Sequence, residues 1–243
     1  MIDLNDLSDE IRTNISNAGA SSPRSQQRAI GPSEVGAACI RRMGYRLLET
    51  EPTNEPDTWL AQIGTWVHAG IASVYEALNA QMDEPRYLIE QRVQVTKDLS
   101  GSVDLYDKKL KMVLDWKVVG DTSLKKYKKE GPSNQYRVQA HLYGMGLFNE
   151  GYEVERVAIV FFPRGGNLRQ MHIWSEEFDP FIAMEGIERM RDARKVIEVA
   201  GQEALKTMPT DASLCHYCPY FLPASTHLAV GCPGGNSPNP TQQ

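Results

Sequence analysis

The sequence predicts an α/β domain with a mixed sheet flanked by helices. Three observations carry this. Apolar residues recur with period two in three consecutive stretches between positions 87 and 119, and two further strand-like stretches lie between 154 and 174, one of them the continuous apolar run "VAIVFF". The segment between these groups returns to helical spacing. Helical patterns also precede and follow them, and helices interleaved with strands in this order make a layered sheet domain.

Taken in order, Leu4, Leu7, Ile11 and Ile15 predict a short amphipathic helix over residues 1–17, and residues 17–33 predict a small-residue, polar linker. Ser33 is the expected N-cap of a helix through "EVGAACIRRMGYRLLE". After the break "TEPTNEPD", a second helix fits residues 58–79, with Leu60, Ile63, Val67, Ile71, Val74 and Leu78 on one face. "YLIEQRVQV", "GSVDLY" and "KMVLDWKVV" predict antiparallel strands joined by short turns, the second of them at 107–109. Helical spacing resumes over 133–149, with Ser133 as cap and Tyr136, Ala140, Tyr143 and Leu147 in a stripe. "VERVAIVFFP" and "LRQMHIW" are two further strands around the turn "RGGN", and a long helix spans 180–205. The last forty residues carry cysteines in an irregular segment, with disorder expected over 234–243.

The chain of 243 residues is 41% hydrophobic and 23% charged, ordinary for a soluble globular protein. Its longest apolar run, "VAIVFF", is far short of a membrane span. The acidic "MIDLNDLSDE" lacks the basic-then-apolar pattern of a secretory leader, so a cytoplasmic location is expected. A net charge of −5 argues against a surface that coats nucleic acid everywhere. Between Gln91 and Glu130, however, ten Lys or Arg stand against six acids. Such a run is ordinarily a solvated face. Here it surrounds an unusual hairpin.

That hairpin is "GSVDLYDKKLKMVLDWK", residues 101–117. Aspartate is disfavoured in strands, yet Asp104 and Asp115 both fall within strand patterns. Residues two apart share a face, so Asp115 and Lys117 point one way and Leu114, Trp116 and Val118 the other. A surface ion pair would explain an isolated D-x-K. An apolar opposite face instead indicates a buried strand, where carboxylates are costly unless paired or holding a cation. Two carboxylates and an amine on one face suit Mg²⁺ or Mn²⁺ beside a phosphate.

G-S-V-D followed after ten residues by D-W-K resembles the core motif of the PD-(D/E)XK nuclease superfamily, and its RecB-like branch most of all. That branch carries a histidine on an upstream helix, matched by His68 in "GTWVHAGI", and Q-x-x-x-Y after the lysine strand, matched by Gln139 and Tyr143. The resemblance spans roughly residues 33–233. It implies a restriction-endonuclease-like core acting as a metal-dependent DNA exonuclease on single strands or free ends. His68, Asp104, Asp115 and the Trp116 carbonyl would hold Mg²⁺ or Mn²⁺, and Lys117 would serve the attacking water or the phosphoryl oxygens. Gln139 and Tyr143 would position the strand, with Glu90 as an auxiliary carboxylate. Lys125, Lys126, Lys128 and Lys129 would meet phosphates, and Arg41, Arg42 and Tyr45 would guide single-stranded DNA.

Cys39, Cys215, Cys218 and Cys232 are the four cysteines, and "CHYC" is a C-x-x-C knuckle. Spacing alone leaves zinc and an iron–sulfur cluster open, with His216 and His227 as further zinc ligands. One cysteine before the core and three behind it resembles the iron staple of AddB-type nucleases and of the fourth Cas protein family, which has phage-encoded relatives. This implies a 4Fe-4S cluster on the four cysteines. The gap before Cys232 is longer than that family's spacing, and zinc with His227 in place of Cys232 is the alternative.

The expected organisation is a helix and linker over 1–32, the nuclease domain over 33–210, the cysteine segment over 211–233 and the tail over 234–243. The resemblance implies a protein encoded by a phage or its bacterial host, with a helicase or recombination protein as partner. Two rival readings are an inactive DNA-binding or assembly subunit with the same fold and a zinc-stapled endonuclease.

Overall fold

A computed structural model of the chain describes residues 4–20, 29–54 and 57–235. The elements are α1 (Leu4–Ala20), α2 (Pro32–Val35), α3 (Ile40–Leu47), α4 (Trp59–Asn79), β1 (Tyr87–Thr96), β2 (Leu99–Asp107), β3 (Met112–Val119), α5 (Asp121–Glu130), α6 (Asn134–Asn149), β4 (Arg156–Pro163), β5 (His172–Glu177) and α7 (Pro180–Ala200). The five strands form one sheet in chain order. Only β3 and β4 pair in parallel, and the other three pairings are antiparallel. A parallel pair needs a crossover, which α5 and α6 supply. The mixed sheet with helices on both faces is the architecture that the periodicities predict. Most of the linker, residues 21–28, and most of the tail, residues 236–243, lie outside the described residues.

Each sheet face has its own core. On one, Val93, Val103, Val113, Val157, Ile159 and Phe161 pack against Ala140, Tyr143 and Leu147 of α6 and Leu124 of α5. On the other, Leu105, Trp116 and Val160 meet Ile71 and Tyr75 of α4. Ala140, Tyr143 and Leu147 of the predicted α6 stripe are thus buried and Tyr136 partly so, and Ser133 caps this helix by accepting from the Tyr136 amide. A third core joins α2, α3 and α7 to the cysteine segment through Val35, Met43, Tyr45, Leu205, Tyr220 and Leu228. Tyr45 stacks on Tyr220 at 4.8 Å and donates to the Leu228 carbonyl at 2.7 Å. Apolar packing and this buried hydrogen bond therefore fasten α3 to the far end of the chain.

Several elements differ from the pattern. The single helix expected over 34–49 is two, α2 and α3, and its start is Gly31 with Pro32 in the first turn, not Ser33. Contact with α6 explains the break: a Cβ on Gly36 would stand 2.8 Å from Gln135 Cα. Helix α5 falls in the basic run, where only Leu124 and Tyr127 turn inward and the pattern is too polar to register. On α4 the predicted stripe is rotated, leaving Leu60, Val74 and Leu78 exposed. Tyr75 stacking on Trp116 at 6.0 Å sets the roll instead. The hairpin turn is 108–111, not 107–109, because Asp107 is still in the ladder, paired with Met112. The last strand begins at His172 after a short 3-10 turn over Leu168–Gln170, and α7 stops at Ala200 before a second over Gly201–Lys206.

One buried polar network fastens β5 and α7 to α6. His141 is fully buried, its Nδ1 accepting from the Asp179 amide at 3.1 Å and its Nε2 standing 2.7 Å from Glu176 Oε1. Arg137 grips the same carboxylate through Nε and Nη2 at 2.5 and 2.9 Å. Because Nδ1 is an acceptor, the imidazole is neutral with its proton on Nε2. Burial holds its pKa below the ordinary histidine value, outweighing the Glu176 contact. The unfolded chain therefore binds the proton more readily than the native one. This contribution to stability is complete above about pH 6.5 and falls as pH drops toward the lowered native value. Urea midpoints at pH 7.5 and 5.5 should show a loss at the lower pH that is smaller in His141→Gln. An equal loss in both proteins would refute the assignment.

Candidate metal centre

The site forms where β2 and β3 part. Their ladder runs from Asp107–Met112 to Leu105–Leu114, so the next pair in register would set Asp104 directly against Asp115. Opposed like charges disfavour strand pairing, and the ladder ends there. Asp104 turns its carboxylate into the gap, where Oδ2 accepts from the Trp116 amide at 2.6 Å. Its Oδ1 lies 3.2 Å from Nδ1 of His68 on α4. Burial disfavours the His68 cation, but the Asp104 hydrogen bond and charge prevail and raise its pKa.

Asp115 stands on β3 with its side chain only 1% exposed. Oδ1 accepts from Gln139 Nε2 at 3.0 Å, and the same nitrogen lies 3.2 Å from the Tyr143 hydroxyl. Oδ2 contacts Lys117 Nζ closely but has no aligned hydrogen-bond donor. Desolvation raises the Asp115 pKa, with Lys117 opposing it. A buried carboxylate whose second oxygen lacks an aligned donor is an unfavourable arrangement for a structural ion pair and a suitable one for a cation ligand.

Glu90 completes the set. It lies between the pairs Ile89–Leu105 and Gln91–Val103, facing Asp104, and adopts φ +48° in mid-strand. Such a backbone costs about 1–3 kcal/mol for a residue other than glycine and gathers at functional sites. Ligand atoms of His68, Glu90 and Asp104 lie within 4.8 Å of one another, the sole such group of three or more His, Cys, Asp or Glu among the described residues. Of the metal ligands expected from the sequence, His68 and Asp104 fall in this group. Asp115 lies outside it, across the gap. Trp116 joins through its amide, and its carbonyl leaves the strand on the same edge.

These side chains line a cavity of about 710 Å³, with Lys117, Gln139, Tyr143 and Arg92 on its wall. Gly101 is required there by close packing: a Cβ would meet the Pro32 ring at 2.9 Å and Tyr143 Cε1 at 3.0 Å. It lies inside β2, not at the opening of the strand as its sequence position suggested. Removing the Gln139 amide would strand Asp115 Oδ1 in the interior. Gln139→Leu should therefore destabilise the protein by about 1–3 kcal/mol, the penalty for an orphaned buried acceptor. Chemical denaturation measures this, and an unchanged midpoint would contradict the bond's importance.

None of the four cysteines forms a disulfide, and all four line a second cavity, of about 570 Å³, with Arg42, Tyr127 and Arg189. The long gap after Cys218 loops out and returns through a bridge between Phe221 and Cys232, fixed by the Cys232 amide on the Tyr220 carbonyl at 2.7 Å. Cys232 is thereby placed in the cavity, whereas His227 is exposed and, like His216, is not among its lining residues. Burial raises the Cys218 pKa. Arg41 and Tyr45 do not offer a surface to DNA. Arg41 is buried, its Nε donating to the Leu205 carbonyl at 2.8 Å and its Nη1 reaching Cys232 Sγ at 3.9 Å, and Tyr45 is sealed in the third core. Lys125, Lys126, Lys128 and Lys129 are exposed along α5.

No protein-family model and no curated protein matches this chain. Among solved structures it is similar to an alkaline exonuclease (LHK-Exo) from Laribacter hongkongensis, with 13% identity and a TM-score of 0.48, covering 76% of this chain and 97% of that one. The complex of LHK-Exo with dAMP gives 15% identity and a TM-score of 0.49, over 74% and 95% of the two chains. A phage-related exonuclease from Haemophilus somnus gives 17% and 0.43, over 64% and 78%. At this distance the likeness assigns no residue a role. Among the described residues, no helix is long and apolar enough to cross a membrane.

Proposed function

We propose that the chain is a divalent-metal-dependent deoxyribonuclease, acting as an exonuclease on single-stranded DNA or DNA ends. One observation supports this above the others. Asp104, Glu90 and His68 converge on one side of a strand gap, while Asp115 and Lys117 face it from the other. Hard oxygen ligands with one imidazole suit Mg²⁺ or Mn²⁺. The bound ion would lower the pKa of a water and offset charge on the scissile phosphate. Asp104 is fixed for ligation by the Trp116 amide, and Gln139 fixes Asp115. Lys117 offers a compact ammonium to the phosphoryl oxygens or the attacking water. Gln139 and Tyr143 would position the strand, and the exposed α5 lysines would draw phosphates, making affinity fall with salt.

We further infer that Cys39, Cys215, Cys218 and Cys232 hold a 4Fe-4S cluster. Four soft thiols on one cavity support it, and iron with acid-labile sulfide should appear in anaerobically purified protein. Stoichiometric zinc without iron would instead make the site a zinc staple.

Digestion of end-labelled single- and double-stranded DNA with Mg²⁺, Mn²⁺ or EDTA tests the activity. Metal-dependent release of short products from an end is expected. Internal cuts would make the enzyme an endonuclease, and intact DNA under every condition would leave a binding or assembly subunit.

A further inference from the structure

The proposed centre relies on Lys117, whose flexible four-carbon stem is poorly suited to holding a charge in place. Asp115 constrains its ammonium from one direction only. A second constraint is present: Lys117 Nζ lies 4.9 Å from the ring centroid of Tyr136, over its face. Tyr136 is one turn ahead of Gln139 on α6, in the stripe whose spacing marks it as an ordinary core residue. Its surroundings are not those of one. It is only partly buried, meets a cation with its ring, and lines the wall of the cysteine cavity.

The ring is itself held from several sides. Its aromatic neighbours are Tyr127 on α5 and Phe161 on β4. Tyr127 stacks on Phe161 at 4.5 Å and 19°, and Phe161 is the parallel-register partner of Lys117 on β4. Tyr136 completes the triangle, 5.9 Å from Tyr127 and 6.4 Å from Phe161. A ring fixed this firmly presents its negative face at a defined place, and the side chain of Lys117, 13% exposed, is sheltered enough for that attraction to matter.

We infer that Tyr136 is a positioning residue for Lys117, its ring face holding the ammonium beside Asp115 in the reaction proposed above, on which this inference rests. It touches neither substrate nor metal in this role and acts through the lysine.

The test is single-turnover cleavage of labelled DNA at saturating Mg²⁺, with DNA affinity measured separately in Ca²⁺. Tyr136→Phe keeps the ring and should stay within about twofold of wild type, while Tyr136→Leu should lose roughly 3- to 30-fold in rate, the equivalent of a sheltered cation–π contact, with affinity unchanged. Fluorinated phenylalanines at position 136 keep the ring's shape while withdrawing its negative face. They guard against a leucine variant that simply folds poorly, and the rate should fall stepwise with each fluorine. A flat fluorine series, or a leucine variant at full rate, overturns the inference while leaving the nuclease reading intact. Wild-type protein inert with every metal overturns both.

Discussion

Replacing Asp115 with asparagine is expected to cut DNA cleavage by at least roughly 10³-fold, because several kcal/mol of transition-state stabilisation depend on its charge. Fold stability should move little. The asparagine side chain would keep an acceptor for Gln139 and remove a desolvated charge, which is favourable, while Lys117 would lose its counter-ion, which is not. Breaking a fully buried pair costs about 3–5 kcal/mol, but Lys117 is partly exposed and keeps the Tyr136 ring, so a net change within about 1 kcal/mol is expected. Cleavage rates and urea midpoints measured on the same preparations separate the two effects. Full activity in Asp115→Asn would remove β3 from the chemistry, whereas collapse of the fold would make Asp115 a structural residue.

The second large effect is expected at the cysteine cavity. Cys39 lies roughly 175 residues before Cys215, and closing a loop of that length is worth up to about 5 kcal/mol by the chain-entropy model for cross-links. Cys39→Ala should therefore destabilise the metal-loaded protein by roughly 2–5 kcal/mol, with loss of the bound metal. The residue makes no side-chain cap bond at the start of α3, so alanine is well tolerated there for its own sake. Stripped of metal, wild type and variant should unfold at nearly the same denaturant concentration. A variant that stays fully loaded and equally stable would eliminate Cys39 as a ligand. Equal destabilisation with and without metal would assign its role to packing.

Much of this arrangement was legible in the sequence, and the limits have physical causes. Period-two alternation marked β1, β2 and β3, and the continuous apolar run "VAIVFF" marked β4, which is buried on both faces. Asp104 and Asp115 stood out because aspartate breaks that alternation, and their meeting followed from hairpin geometry. Glu90 carried only a weak signal, since what sets it apart is a backbone φ of +48°, and glutamate in an amphipathic strand is unremarkable. Helix α5 escaped because it buries little and its lysines imitate a loop. The roll of α4 departs from the aliphatic stripe because aromatic stacking of Tyr75 on Trp116, with His68 reaching Asp104, outweighs it. Tyr136 resembled any core aromatic until its neighbour on the sheet was known to be Lys117. Arg41 and Tyr45 were expected at a surface, but a C-terminal segment distant in sequence covers them, which local patterns do not encode.

The central claim is that the gap between β2 and β3 binds a divalent cation. Calorimetric titration with Mn²⁺ tests it without depending on any DNA substrate. Wild-type protein should bind Mn²⁺ at this site, and Asp104→Asn and His68→Ala should each weaken that binding by at least roughly tenfold, as expected when a ligand or its support is removed. Mn²⁺ affinity that is absent from the wild type, or unchanged in both variants, would contradict the account.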